Sequence, residues 1–204
     1  MTPSASQRPR YDLSRIVVID LEATCWEGPS PPGETSEIIE VGSAVLHVAD
    51  LRVERGPEIL VRPTRSRVGD FCTQLTGITQ ALLDERGRAF ADAIEALREA
   101  HGDLQRTVWA SYGDYDRRKL TDDCRLQGVP FPLSESHLNV KRLLALAAGW
   151  PREEGMAGAL RRLGIELVPG TRLHRGTDDA VHIAEMLGRV LASGLRGLTP
   201  TPAP

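Results

Sequence analysis

Two carboxylates one residue apart interrupt an apolar run in "RIVVIDLEATCWEG", Arg15 to Gly28. Side chains alternate across a strand, so Asp20 and Glu22 share one face while Leu21 takes the other. Their Cα atoms would lie about 6.5 Å apart, which lets both reach metal ions about 3.5–4 Å apart. A strand end reaching solvent would look the same over these few residues. A carboxylate that stays buried, however, needs a partner charge or a metal.

Two further stretches offer acids in pairs, and helical phase chooses between them. In "SYGDYDRRKL", Asp116 shares a stripe with Leu120 and Cys124, whereas Asp114 lies with Arg117, Arg118 and Thr121. Asp116 is therefore the inward acid, and Asp114 is expected to cap the helix. In "HRGTDDAVHIAEML", Asp179 continues through Ile183, Met186, Leu187 and Val190, whereas Asp178 continues through His182, Glu185 and Arg189. Asp179 is then inward and Asp178 solvated. His174, five residues before Asp179 on a loop with Gly176, can reach over the same helix start. Four inward carboxylates repel one another unless cations sit among them. Asp20, Glu22, Asp116 and Asp179 are accordingly expected to ligate metal.

The elements that must position these groups follow from periodicity and breakers. Ile16–Glu22 reads as a strand, and residues 29–36 ("PSPPGETS") as a surface loop. Residues 37–50 and 51–63 read as a hairpin turning near Ala49–Asp50. Phe90, Ile94 and Leu97 mark an amphipathic helix within 84–103. "TVWASYG" is a strand, and the helix after it stops at Gly128 and Pro130. "HLNVKRLLALAAG" runs from strand into helix, "GMAGALRRLGI" is a short helix, and the last helix runs from about Thr177 to Leu191. A hairpin followed by alternating strands and helices predicts an α/β fold: a mixed central sheet with an antiparallel hairpin, flanked by helices. Residues 11–194 form the expected domain, between flexible tails at 1–10 and 195–204.

"DLEATCWE", "FCTQLTGIT", "SYGDYD" and "HRGTDDA", in that order, resemble the DEDDh exonucleases, specifically the Eri1-like branch that includes KapD-type proteins. The resemblance runs from Ile16 to Leu191 and departs from the family at Tyr112, where Trp is common. It implies a ribonuclease H-like fold and metal-dependent 3′→5′ removal of nucleotides with two Mg²⁺ or Mn²⁺ ions. Asp20, Glu22, Asp116 and Asp179 correspond to the acidic ligands and His174 to the general base. On this reading Asp20 bridges both ions, Glu22 and Asp179 serve the nucleophile-side ion, and Asp116 acts through the second ion's water shell. The resemblance also implies that Ala23, Thr24, Leu75, Thr76 and Ile78 contact the terminal nucleotide. The residues alone leave Leu75 and Ile78 equally readable as core.

The 204 residues carry 41% hydrophobic and 26% charged side chains, with a formal net charge of −3. That balance excludes a protein that coats nucleic acid by bulk positive charge. It leaves a nuclease open, because bound dications change the local field. Aromatic residues make up 4% and basic runs are absent, which suits a short track for single-stranded 3′ ends or short oligonucleotides. RNA is favoured over DNA by the Eri1-like resemblance alone, so a DNA 3′-end trimming or proofreading exonuclease is the competing enzyme. A regulatory protein-interaction module on the same fold is the alternative from outside enzymology. The three cysteines show neither a disulfide framework nor a zinc motif, and neither a membrane span nor a secretory leader is apparent. The expected location is cytoplasmic. His47 and His101 are expected on surfaces, and His137 in a structural role.

Overall fold

A computed structural model describes residues 11–195 of the chain. The tails expected at 1–10 and 195–204 lie outside the described residues, except Leu195, which ends the last helix. Strand β1 (Asp12–Ala23) pairs antiparallel with β2 (Ile38–His47), and β2 carries both β3 (Val53–Arg55) and β4 (Ile59–Leu60). On its other edge β1 runs parallel to β5 (Thr107–Ser111), which in turn pairs parallel with β6 (His137–Asn139). The sheet is thus mixed, in the order β3-β2-β1-β5-β6 with β4 beside β2. Alternation of side chains along β1 and β2 serves two cores. Ile16, Val18, Ala44 and Leu46 pack towards α5 (Val140–Ala147), α6 (Met156–Leu163) and α7 (Gly176–Leu195). Val17, Ile19, Val41 and Val45 pack towards α3 (Phe90–His101) and α4 (Tyr115–Gln127).

Two local expectations change, and two helices form where the sequence pattern marked no element. The second hairpin strand is not one strand over 51–63 but β3 and β4, separated at Gly56–Pro57. Proline has no N–H to give a ladder, while Gly56 still donates to the Ser43 carbonyl. The segment before α3 folds as two short helices, α1 (Asp70–Thr76) and α2 (Gln80–Arg86). Seven-residue helices have little intrinsic stability and little periodicity to read. Here Gly77 in the left-handed conformation ends α1, and the Thr79 side chain accepts from Leu82 N–H to start α2. The helix expected over 84–103 therefore begins at Phe90, because Arg88 exchanges backbone hydrogen bonds with Leu60 and Arg62.

His101 is buried rather than on a surface, with its Nε2 2.9 Å from Ser43 Oγ. Asp114 holds the N-cap position of α4 but makes no side-chain cap; its Oδ2 lies 3.6 Å from Arg142. Asp178 is buried as well, against the expectation of a solvated acid. It pairs with Arg55 at 2.5 Å and accepts from Arg172 N–H. The cause is tertiary: the segment after α6 folds back over the polar stripe of α7, and Val168 N–H donates to the buried ring of His182. No helix among the described residues is long and apolar enough to cross a membrane.

Candidate active site

The C-terminal end of β1 outruns β5, whose pairing with β1 ends at Val18 and Ala110. Leu21 N–H is left without a strand partner on that edge, and Asp116 Oδ1 accepts it at 3.0 Å. This single bond brings the first turn of α4 beside Asp20 and Glu22. On β2, Glu40, Gly42, Ala44 and Leu46 share the face that looks towards α7. Gly42 stands opposite Asp20 in the register. A Cβ built on Gly42 would lie 1.8 Å from the Gly176 carbonyl carbon and 2.1 Å from Thr177 N. Only glycine lets α7 start against the sheet, which is what carries Asp179 to the strand acids.

Glu40 completes that anchor. Its carboxylate is 0% exposed and accepts from Gly176 N–H, Thr177 N–H and the Thr177 hydroxyl, each at 3.1 Å. It also lies 3.3 Å from Arg175 Nε. Sequence reasoning missed Glu40, although the signal that flagged Asp20 was present there too: a carboxylate inside an apolar strand, "EIIEVGSAVL". Arg175, next to His174, is turned inward and bound to Glu40 and Glu58.

The structure thus brings Asp20, Glu22, Asp116 and Asp179 together with His174. Ligand atoms of Glu22, His174 and Asp179 all lie within 4.8 Å of one another. His174 sits in a left-handed conformation, φ 62°, and its backbone N–H donates to Asp179 Oδ2 at 2.9 Å. Its ring is exposed and hydrogen-bonds to nothing among the described residues. Asp179 is 3% exposed, and its Oδ1 is buried with no partner. A buried carboxylate oxygen facing other carboxylates and no donor is what a cation-binding set looks like before its cation is counted. The all-oxygen acidic donors suit a hard divalent ion.

Of the five residues expected at the terminal nucleotide, Ile78 is wholly buried among Ile39, Leu60, Cys72 and Leu83. Thr76 is buried and bonds Cys72 O and Ile78 N–H. Ala23 and Thr24 are buried beside the site, Thr24 bonding Ser66 Oγ and Glu37 N–H. Leu75 keeps part of its surface exposed, and its carbonyl accepts from Arg172. Tyr115, 50% exposed and adjacent to Asp116, was not singled out from sequence. Nothing in an isolated "DYD" marks its aromatic face as open.

Charge crowding shows in the titration of the acids. Burial first, then the neighbouring Asp116, Asp179, Glu22 and Glu40, holds the Asp20 carboxyl well above its ordinary range. Burial, with Asp179, Glu40 and Asp116, pushes Glu22 up to about 8, against a downward pull from Arg175. Burial pushes Asp116 and Asp179 up to about 7, despite the N–H donors they hold. The sign of the consequence is fixed by linkage. The metal-free fold keeps protons that the unfolded chain loses near pH 4, so from about pH 4 up to about 7 for Asp116 and Asp179, and to about 8 for Glu22, each retained proton costs stability as pH rises, about 1.4 kcal/mol per unit. In EDTA the Tm is expected to fall from pH 5 to 8, and added Mg²⁺ to restore more at pH 8 than at pH 5. Thermal unfolding at matched ionic strength measures this, and a metal-free Tm that climbs over the range would contradict it.

Gly42→Ala supplies a second check. Overpacking commonly costs about 1–3 kcal/mol, and here the clash is with backbone, so the upper end is expected. Surviving folded protein should lose roughly 10²-fold in turnover, because α7 must shift and Asp179 with it. Calorimetry and a hydrolysis assay test both halves, and a variant of wild-type Tm would remove Gly42 from this role.

A mixed sheet with helices on both faces and acids converging at the end of its central strand is the ribonuclease H-like nuclease architecture. The chain belongs to the RNase_T exonuclease family, whose model, described as "Exonuclease", matches residues 17–187. Its likeness is to the Eri1-like DEDDh members, and membership implies divalent metal ions. Human 3′-5′ exoribonuclease 1 is 31% identical over 194 residues, covering 90% of this chain and 54% of that protein. ERI1 exoribonuclease 2 of Xenopus laevis is 28% identical over 219 residues, covering 95% of this chain and 31% of that protein. The chain therefore spans about half the length, or less, of these curated relatives. Among solved structures, the nuclease domain of 3′hExo bound to rAMP superposes with a TM-score of 0.77 at 30% identity, covering 89% of this chain and 93% of that one. A 3′-exonuclease described in recognition of the histone mRNA stem-loop gives 0.76 at 29% identity, covering 92% and 84%.

Proposed function

We propose that this chain is a 3′→5′ exonuclease that removes nucleotides from single-stranded 3′ ends, RNA before DNA, with two divalent ions, Mg²⁺ or Mn²⁺. The observation that carries it is the unpartnered Asp179 Oδ1 beside Glu22 and an unengaged His174 ring. Asp20, Glu22, Asp116 and Asp179 are the residues to hold the ions. Bound there, the ions would lower the pKa of the attacking water and offset charge on the departing 3′-oxygen.

The chain's own groups do the rest. His174 takes the proton of the attacking water on a free ring nitrogen, the role of a general base. Its exposed ring lets water and the 3′ end approach together. The phosphorus–O3′ bond breaks and a nucleoside 5′-monophosphate leaves. Asp116 and Asp179 each hold a backbone N–H with one carboxylate oxygen and present the other to the site. Leu75 and the exposed face of Tyr115 offer apolar surface for the last base, which needs no sequence preference. Preference for RNA draws on the names of the relatives, a human exoribonuclease and a nuclease domain solved with rAMP. A cytoplasmic, reducing location suits the three free thiols.

The decisive experiment uses 5′-labelled RNA and DNA oligomers of matched sequence, with Mg²⁺, with Mn²⁺ and with EDTA. A ladder shortening from the 3′ end, faster on RNA and abolished by EDTA, is expected. Cleavage that persists in EDTA, or internal cuts from the first time point, would overturn the proposal.

A further inference from the structure

The donor set at Glu22, His174 and Asp179 is not neutral between metals. Magnesium keeps to oxygen ligands in near-octahedral array. Zinc takes imidazole and carboxylate together, commonly with four ligands. Two buried carboxylates and one histidine, with ligand atoms within 4.8 Å, are a donor set of the second kind. Three ligands on one zinc would stand about 3.3 Å apart at ordinary bond lengths, so the set must contract. The part freest to move is the exposed His174 ring, which has no hydrogen bond among the described residues to give up. The His174 backbone, by contrast, is tied through its N–H to Asp179 Oδ2. The imidazole is therefore tethered to the carboxylate whose other oxygen, Oδ1, is buried and unpartnered.

We propose that Glu22, His174 and Asp179 form an inhibitory Zn²⁺ site, in which the ion displaces the hydrolytic cations and occupies the His174 nitrogen that would otherwise take the proton from water. The inference rests on the general-base reading of His174 for its functional consequence, but not for the binding itself. Divalent affinity at a mixed nitrogen–oxygen site rises towards zinc over manganese. A zinc ion held by three side chains is thus favoured over the ions that activate the enzyme. The protein becomes responsive to the ratio of free Zn²⁺ to Mg²⁺, through a residue its chemistry cannot dispense with.

The test measures Zn²⁺ binding directly, by competition with a chromophoric chelator, for the wild type and for His174→Asn. Asparagine tolerates the left-handed backbone at this position, and a retained Mg²⁺-induced rise in Tm verifies the fold and the acidic cluster in the variant. Zn²⁺ affinity is expected to fall about 100-fold or more, since even groups that merely hydrogen-bond to a ligand are worth about 10–100-fold. In the wild type, the His174 ring resonances should shift with ZnCl2 and stay in place with MgCl2. Micromolar ZnCl2 should also stop Mg²⁺-dependent hydrolysis. Equal Zn²⁺ affinity in the two proteins, or unmoved ring resonances, would overturn the zinc site while leaving the exonuclease reading untouched. Zinc bound through His174 in a protein that hydrolyses no oligonucleotide would do the reverse.

Discussion

An Asp20→Asn protein is expected to be inert with Mg²⁺ or Mn²⁺, its turnover down by at least about 10³-fold, and yet to melt higher than the wild type in EDTA at pH 8. The first half follows from what the carboxylate is for. Ions in such a site supply several kcal/mol of transition-state stabilisation, and each 1.36 kcal/mol is tenfold in rate. The second half follows from the same crowding. Asp20 is the acid that feels Asp116, Asp179, Glu22 and Glu40 together, so removing its charge relieves repulsion that only cations or protons otherwise relieve. An ordinary structural aspartate gives the opposite pattern, losing stability when neutralised. The two measurements must therefore move in opposite directions. A variant that melts lower in EDTA, or that retains turnover, would show that Asp20 is not a ligand held against its neighbours.

Replacing His174 with Asn is expected to lower turnover by about 10²–10⁴, the usual worth of a general base, while the Mg²⁺-induced rise in Tm is kept. The two readouts separate because the acids come from β1, α4 and α7, whereas His174 belongs to the loop before α7 and touches them only through its backbone N–H. Asparagine preserves that backbone bond and its left-handed φ. What is lost is the ring nitrogen that accepts the proton of the attacking water. An unchanged rate would strike His174 from the mechanism and leave the acids to act alone.

Periodicity alone was enough to choose Asp116 over Asp114 as the inward acid and to aim Asp179 at the strand acids, though not to foresee that Asp178 is covered as well. Each chosen acid shares a stripe with residues that are buried, Leu120 and Cys124 in one case, Ile183 and Met186 in the other. The mixed sheet was legible for a similar reason, since strand runs and helix stripes differ in period. What periodicity could not supply is which polar residues end up covered. Asp178 and His182 lie on a polar stripe and are buried, because a distant segment folds over them. His101 is buried by Ser43, 58 residues away in sequence. Short helices such as α1 and α2 exist through their caps and packing, so their residues carry little periodic signal.

By itself the sequence singled out four acids and one histidine whose types and spacings suit a metal-binding site, and the folded chain brings these groups together. It determined as well which strand and which helix starts carry them, because local hydrophobic pattern decides where a side chain points. Tertiary structure alone decided how those starts meet. The meeting depends on a glycine where β2 and α7 touch, on a buried Glu40 that holds the α7 N-terminus, and on a strand N–H left over for Asp116. Each is a contact between residues far apart in the chain, and a pattern of near neighbours carries no record of it.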